Sequence, residues 1–207
     1  MTAPFSRPIG LALGMAAALA LAGVFYVRTT GPDKQNACPA SAPLATRLAP
    51  LMKGAVAAAV APRQARALPE LEFLDPSGRP TSLAAMRGKT LLINIWATWC
   101  APCREEMPTL DKLQAKLGSK DFEVVIINID TARRERAPAF LKEIGVKNLA
   151  FYSDPKAEAF YKLKSAGKAT GLPTTYLVGK DGCEIATLAG PANWASDEAL
   201  ALIRAAL

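Results

Sequence analysis

The sequence predicts an α/β protein: a mixed central sheet with helices on both faces, behind a single membrane-spanning helix. Three observations predict it. Two strand-length apolar runs, "TLLINIWA" at 90–97 and "FEVVIINID" at 122–130, have the unbroken hydrophobicity of strands covered on both sides. Stretches with helical periodicity alternate with strand-like runs, which implies parallel crossovers. Finally, the 19 residues from Ile9 to Val27 carry no charge. As a helix they span roughly 28 Å, close to the hydrocarbon thickness of a bilayer.

That apolar segment lies between Arg7 and Arg28. It reads either as a cleaved secretory signal, with small-residue sites in "ALA" at 18–20 and 20–22, or as an uncleaved anchor with its amino end in the cytoplasm. The run continues through Val24, Phe25, Tyr26 and Val27, which is long for a signal core, and its aromatic pair suits a membrane interface. The anchor is therefore the expected reading. No cysteine lies near Gly23, which argues against a lipoprotein. The expected layout is a cytoplasmic amino terminus (1–8), a transmembrane anchor (9–27), a periplasmic stalk (28–43), an N-terminal helix extension (44–67) and a main domain (68–207).

The stalk, "TTGPDKQNACPASAP" from residue 29, is polar and without period. Leu44, Leu48, Leu51, Ala55 and Val56 then recur at helical spacing and predict a helix over 44–60, ended by Pro62. "LEFLDPSGRPTSL" predicts a leading hairpin around a Pro/Gly turn. After strand 90–97, residues 100–117 follow a helical pattern through Met107, Leu110, Leu113 and Leu117, closed by Gly118. Pro108 inside that pattern predicts a kink. Strand 122–130 precedes a helix in "RRERAPAFLKEIG" that ends at Gly145. "LAFYSD" is a short strand, and "PKAEAFYKLKSAG" a helix with Pro155 near its start. "TTYLVGKDGCEIATLAG" is a hairpin around Asp181–Gly182, and "SDEALALIRAAL" a last helix with Ser196 as N-cap.

Composition removes several chemistries. Net charge is +7, of which Arg7 and Arg28 carry +2, leaving about +5 on the exported part. That is a mildly basic surface and no nucleic-acid footprint. The absence of histidine removes Cys–His and Ser–His nucleophiles and most mixed zinc sites.

Attention then falls on Cys100 and Cys103, three residues apart. They follow a buried strand directly, so Cys100 sits at the first turn of the next helix, where free N–H groups and the positive dipole end stabilise a thiolate. Residues i and i+3 share one side of a turn, and Pro102 suits an early helical position and stiffens the loop. A four-cysteine zinc site would need Cys38 and Cys183, neither of which belongs to a second Cys-x-x-Cys. Two adjacent core thiols are the plainer alternative. A Cys-x-x-C beside a βαβ pattern is the expected redox signature.

"WATWCAPCREEMP", "FEVVIINID" and "GLPTTYLVGKDG" together resemble the membrane-tethered, thioredoxin-like thiol:disulfide oxidoreductases of the TlpA/ResA/CcmG family, and "GCEIATLAGPANW" is most like the TlpA branch. The resemblance covers about residues 68–207 and extends more loosely to the anchor. It implies a thioredoxin-like fold, Cys100 as an exposed attacking thiol and Cys103 as a more buried resolving thiol. It implies a cis Pro173 facing the pair, exposing the Leu172 backbone to an extended substrate peptide. Trp99 would form a partly exposed wall of the site, with Trp96 in the core. Thioredoxins carry an acid where this chain has Asn94, so the proton carrier must lie elsewhere. Glu106, one turn beyond Cys103, resembles a family acid and is the candidate; an exposed helix glutamate is the alternative.

Cys38 and Cys183 make the cysteine count even, and in an oxidising compartment an unpaired thiol is a liability. A structural Cys38–Cys183 bond is expected; the alternatives are that one is free or that it makes a dimer. The expected function is a periplasmic thiol:disulfide reductase, monomeric and cofactor-free because the cysteines carry the electrons. Its implied partners are copper-site or haem-site assembly proteins as disulfide substrates and a transmembrane thiol reductase as electron donor. A dithiol oxidase or isomerase is the rival enzyme, and a Cu(I) metallochaperone the rival of another class.

Overall fold

The computed structural model describes residues 38–207. The expected anchor at 9–27, the amino terminus before it and most of the stalk lie outside the described residues. Among the described residues no helix is long and apolar enough to cross a membrane.

Residues Cys38–Leu207 form one compact unit built on a single eight-stranded sheet. The strands are β1 (Ala59–Val60), β2 (Glu72–Leu74), β3 (Pro80–Ser82), β4 (Thr90–Trp96), β5 (Phe122–Asn128), β6 (Phe151–Ser153), β7 (Thr174–Val178) and β8 (Glu184–Ala189). Their spatial order is β1-β8-β7-β4-β5-β6-β2-β3. β4, β5 and β6 run parallel, joined through helices α2 (Ala101–Leu117) and α3 (Arg136–Glu143). β7 is antiparallel to β4 and pairs with β8, so the terminal hairpin sits beside the central strand. Every residue of β4 is buried, which requires cover on both faces. Leu91, Ile93 and Ile95 point one way, and Leu92, Asn94 and Trp96 the other. The sequence-predicted mixed α/β sheet is therefore the observed one.

Three elements differ from the sequence reading. The N-terminal helix does not run to residue 60. Helix α1 spans only Ser41–Leu48, short 3-10 turns follow at Ala49–Leu51 and Gly54–Val56, and β1 then pairs with β8. Pro50 cannot donate within a continuing helix, and Gly54 adopts φ +55°, outside helical space. Residues 38–43, read as stalk, are already folded: Cys38 and Ser41 are buried. The helix expected from Pro155 starts later, as α4 (Glu158–Ser165), because the Asp154 carboxylate takes the N–H groups of Lys156 and Ala159 in a turn where Ala157 has φ +56°. The last helix, α5 (Asp197–Ala206), is capped by Ser196, whose hydroxyl accepts from Ala199 N–H at 3.2 Å.

Gly118 follows α2 as expected, but not for a left-handed turn, since its φ is −54°. A Cβ there would stand 2.2 Å from Gln114 Nε2 and 2.5 Å from the Gln114 carbonyl oxygen. Gln114 needs that space, because its Oε1 accepts the Val124 N–H of β5 at 2.7 Å.

Two ties hold the N-terminal segment to the β7–β8 hairpin. Cys38 and Cys183 are joined as a disulfide across 145 positions. Beside it, the Asp181 carboxylate at the hairpin tip accepts from the Ser41 hydroxyl at 2.5 Å and from its N–H at 3.2 Å.

Candidate active site

β4 delivers the chain to a turn in which Cys100 N–H donates to Ala97 O at 3.2 Å. The turn is fixed from outside: both carboxylate oxygens of buried Asp130, just beyond β5, accept from Thr98 N–H at 3.2 Å, and Asn128 Nδ2 donates to the same carboxylate. Cys100 is the N-cap of α2 in extended conformation, and Cys103 N–H points at its sulfur at 3.3 Å. Cys100 and Cys103 are joined as a disulfide. An anionic Cys100 sulfur in the dithiol form would face that same N–H and the free amides of the first turn.

Cys103 is fully buried, and Cys100 is only 6% accessible. The attacking sulfur expected to be exposed is thus largely covered in the disulfide form, though it remains the more accessible of the two. Trp99, the residue before Cys100, is 70% exposed, an apolar ring in solvent, and Pro102 is half-buried. Trp96 is wholly buried and tilts against Phe140 of α3.

The Leu172–Pro173 peptide bond is cis. Because β7 pairs with β4 in the register Ile95↔Thr174, Pro173 comes level with Trp96, four residues before Cys100. Among the described residues neither backbone group of Leu172 is hydrogen-bonded.

Glu106 is not an exposed helix glutamate. It is 3% accessible, one turn below Cys103, and fully engaged. Asn94 Nδ2 donates to its Oε1 at 2.8 Å, while Trp194 Nε1 at 3.0 Å and Ala192 N–H at 3.2 Å donate to its Oε2. No cation accompanies it: among the described residues it makes no ion pair. Burial pushes its carboxyl up from 4.5 to about 7, and the bonds from Asn94, Trp194 and Ala192 pull the other way without cancelling the loss of water. The result is a buried acid held well above the usual carboxylate range, one turn along α2 from the inner cysteine.

The structure adds residues that sequence patterns did not single out. Trp194 lies 88 positions from Glu106, on a segment without helical or strand period. Thr175 Oγ1 accepts the second N–H of Asn94 at 2.9 Å. In the sequence Asn94 marks the place where thioredoxins carry an acid and Trp194 closes the motif GCEIATLAGPANW, but neither pattern ties them to Glu106; Thr175 and Asp130 gave no signal.

Comparison with known proteins supports the same frame. A family model described as Redoxin matches residues 63–203, well over half of the chain. The thiol-disulfide oxidoreductase ResA of Bacillus cereus is 29% identical over 126 residues, 59% of this chain and 67% of its own length. The thiol:disulfide interchange protein CycY of Rhizobium leguminosarum is 37% identical over 110 residues, 53% of this chain and 55% of its own. The chain thus spans between about half and two thirds of the curated relatives it matches. The crystal structure of a candidate thiol:disulfide interchange protein of the DsbE type from Chlorobium tepidum superposes with a TM-score of 0.58 at 26% identity, covering 68% of this chain and 94% of that one.

Proposed function

The chain belongs to the Redoxin family, and from that premise we propose that it is a thiol:disulfide reductase working through Cys100 and Cys103. The observation that carries this reading is the pair's placement: a Cys-x-x-Cys disulfide at the N-cap of a helix, above a buried carboxyl with a pKa of about 7.

In the dithiol form, Cys100 thiolate attacks one sulfur of a client disulfide and the other client sulfur leaves as a thiolate. Cys103 gives its proton to ionised Glu106 and attacks the Cys100 sulfur of the mixed disulfide, releasing the second client thiol. The client gains two electrons; one client sulfur takes up the proton held by Glu106, the other takes one from solvent in place of the proton Cys100 had already released, and Cys100–Cys103 ends oxidised. The unpaired Leu172 backbone beside cis Pro173 would hold the client segment as an added strand, against Trp99 and near Pro102. Cys38–Cys183 plays no part in the exchange and pins the N-terminal segment.

The anchor expected at 9–27 would place this domain in the periplasm on the cytoplasmic membrane, as a monomer. The oxidising compartment then demands a membrane thiol reductase to restore the dithiol, and no cofactor is needed. Clients would be copper-site or haem-site assembly proteins of cytochrome oxidase or cytochrome c biogenesis, as the family resemblance implies.

The test is a trap. Cys103→Ser should accumulate mixed disulfides on Cys100, and mass spectrometry would name the client. Equilibration against glutathione fixes the direction: a reduction potential near that of DsbA, about −120 mV, would make the protein an oxidant instead.

A further inference from the structure

Beside the cysteine pair lies a cleft of about 290 Å³ lined by Thr98, Arg104, Arg136, Ala139, Phe140 and Glu143. We infer that this cleft is a carboxylate subsite that selects disulfide clients bearing an acidic side chain next to the target cysteine. The inference rests on the reductase reading of Cys100 and Cys103 and specifies which clients that site prefers.

Four observations carry it. First, position: Arg104 is four residues after Cys100 on α2, and Arg104 N–H donates to Cys100 O at 3.2 Å, so the two side chains rise from the same face of the helix. Thr98, which also lines the cleft, is two residues before Cys100 and held through its N–H by Asp130. One helical turn separates the cleft from the reacting sulfur, about 6 Å, the reach of two residues of an extended peptide.

Second, preorganisation: the Arg104 guanidinium carbon stands 4.7 Å above the centre of the Phe140 ring. This cation–π contact restrains the guanidinium, whose N–H groups make no ion pair or hydrogen bond among the described residues and can fork onto a carboxylate.

Third, unspent donors: among the described residues neither Arg104 nor Arg136 makes an ion pair, and neither side chain donates a hydrogen bond. Elsewhere cations do find carboxylates: Arg79 pairs with Asp75, Lys89 with Glu123 and Lys168 with Glu184.

Fourth, charge: within the lining the two arginines face one carboxylate, Glu143. Immediately before Arg136, exposed Arg133 and Arg134 outnumber Glu135, and on α2 exposed Glu105 follows Arg104. The rim stays net positive. The cleft has ample room for a side chain, and the chemistry its donors fit is that of a carboxylate.

The experiment uses pairs of disulfide peptides that differ only by Glu or Gln at one position within three residues of the cysteine. The reduced full-length protein reacts with each, and the ratio of the two rates is taken within each variant, which cancels any change in Cys100 reactivity. For at least one position the wild type should favour the Glu peptide about two- to fivefold, the range of an ion pair near the surface. The preference should shrink with added salt. Arg104→Gln and Arg136→Gln should each bring the ratio close to one, and Arg136→Glu should turn it towards a Lys peptide. Both arginines are exposed, so these variants keep the fold. Equal rates for Glu and Gln at every position, or a preference surviving in both single variants, overturn the subsite while leaving the reductase standing. Reduction of no peptide at all overturns the reductase reading and the subsite with it.

Discussion

Asn94 Nδ2 stands 2.8 Å from Glu106 Oε1, so the amide in the strand before the cysteines is the direct partner of the carboxyl one turn beyond them. The other amide N–H goes to Thr175, and Asn94 Oδ1 is a buried acceptor without a partner among the described residues. An amide offers a donor on one side and an acceptor on the other. As found, its N–H donates to Glu106 Oε1, which favours the ionised carboxylate. Turned over, its Oδ1 would accept from a protonated one. Asn94 cannot titrate, but it suits either state of the group that can.

A pH profile should expose that group. Decay of the mixed disulfide on Cys100, followed by stopped flow, should speed up through an inflection near pH 7 in the wild type, because only ionised Glu106 takes the Cys103 proton. In Glu106→Gln the inflection should vanish and the step should slow by about 10²-fold or more above pH 7. An unchanged profile would remove Glu106 from the mechanism.

The same carboxyl makes stability depend on pH. Its folded value, about 7, lies above its ordinary 4.5. Between those values the folded state keeps a proton that the unfolded chain has released, so stability falls as pH rises through this window and is level above it. At 1.36 kcal/mol per unit the full loss is about 3 kcal/mol, an upper figure. Urea midpoints at pH 5 and pH 8 should therefore converge in Glu106→Gln relative to wild type. A wild type that gains stability from this residue over that range would contradict the burial argument.

Trp194→Phe keeps the apolar bulk and removes one donor from Glu106 Oε2. Ionised Glu106 loses support, so the kinetic inflection should move above 7, with a stability loss of about 1–3 kcal/mol at neutral pH. A merely structural tryptophan would lower stability and leave the inflection in place.

Replacing Cys38 and Cys183 together by serine should cost about 2–5 kcal/mol, since the bond closes 145 positions of chain. Trapping by the Cys100–Cys103 pair should persist, because neither residue belongs to it. Peptide mapping without reductant should recover Cys38 joined to Cys183; a Cys38–Cys100 link would defeat the assignment.

Gly118→Ala should destabilise by about 1–3 kcal/mol, although φ at this residue is ordinary. The new methyl meets Gln114 and displaces the side chain that satisfies Val124 N–H. Unchanged urea unfolding would show that Gln114 gives way freely.

Local chemistry was legible in the residues themselves. The unbroken hydrophobicity of 90–97 and 122–130 marked two central strands, Asp181–Gly182 marked the hairpin, Ser196 the last cap, and Cys100-x-x-Cys103 a paired cysteine motif at a helix start. Each is decided by residues within one turn or one strand of each other, where periodicity and capping act. The helix expected over 44–60 failed for the complementary reason. Its end was set by Pro50, by Gly54 and by a partner strand, β8, more than a hundred residues away. Glu106 looked the same in sequence whether exposed or buried; only the packing of β4, α2 and the Trp194 loop around it removed its water and raised its pKa. The sequence by itself determined which groups could react. Tertiary structure alone decided which of them lost water and which kept free donors, because desolvation and unpaired hydrogen bonds depend on neighbours that chain order does not reveal.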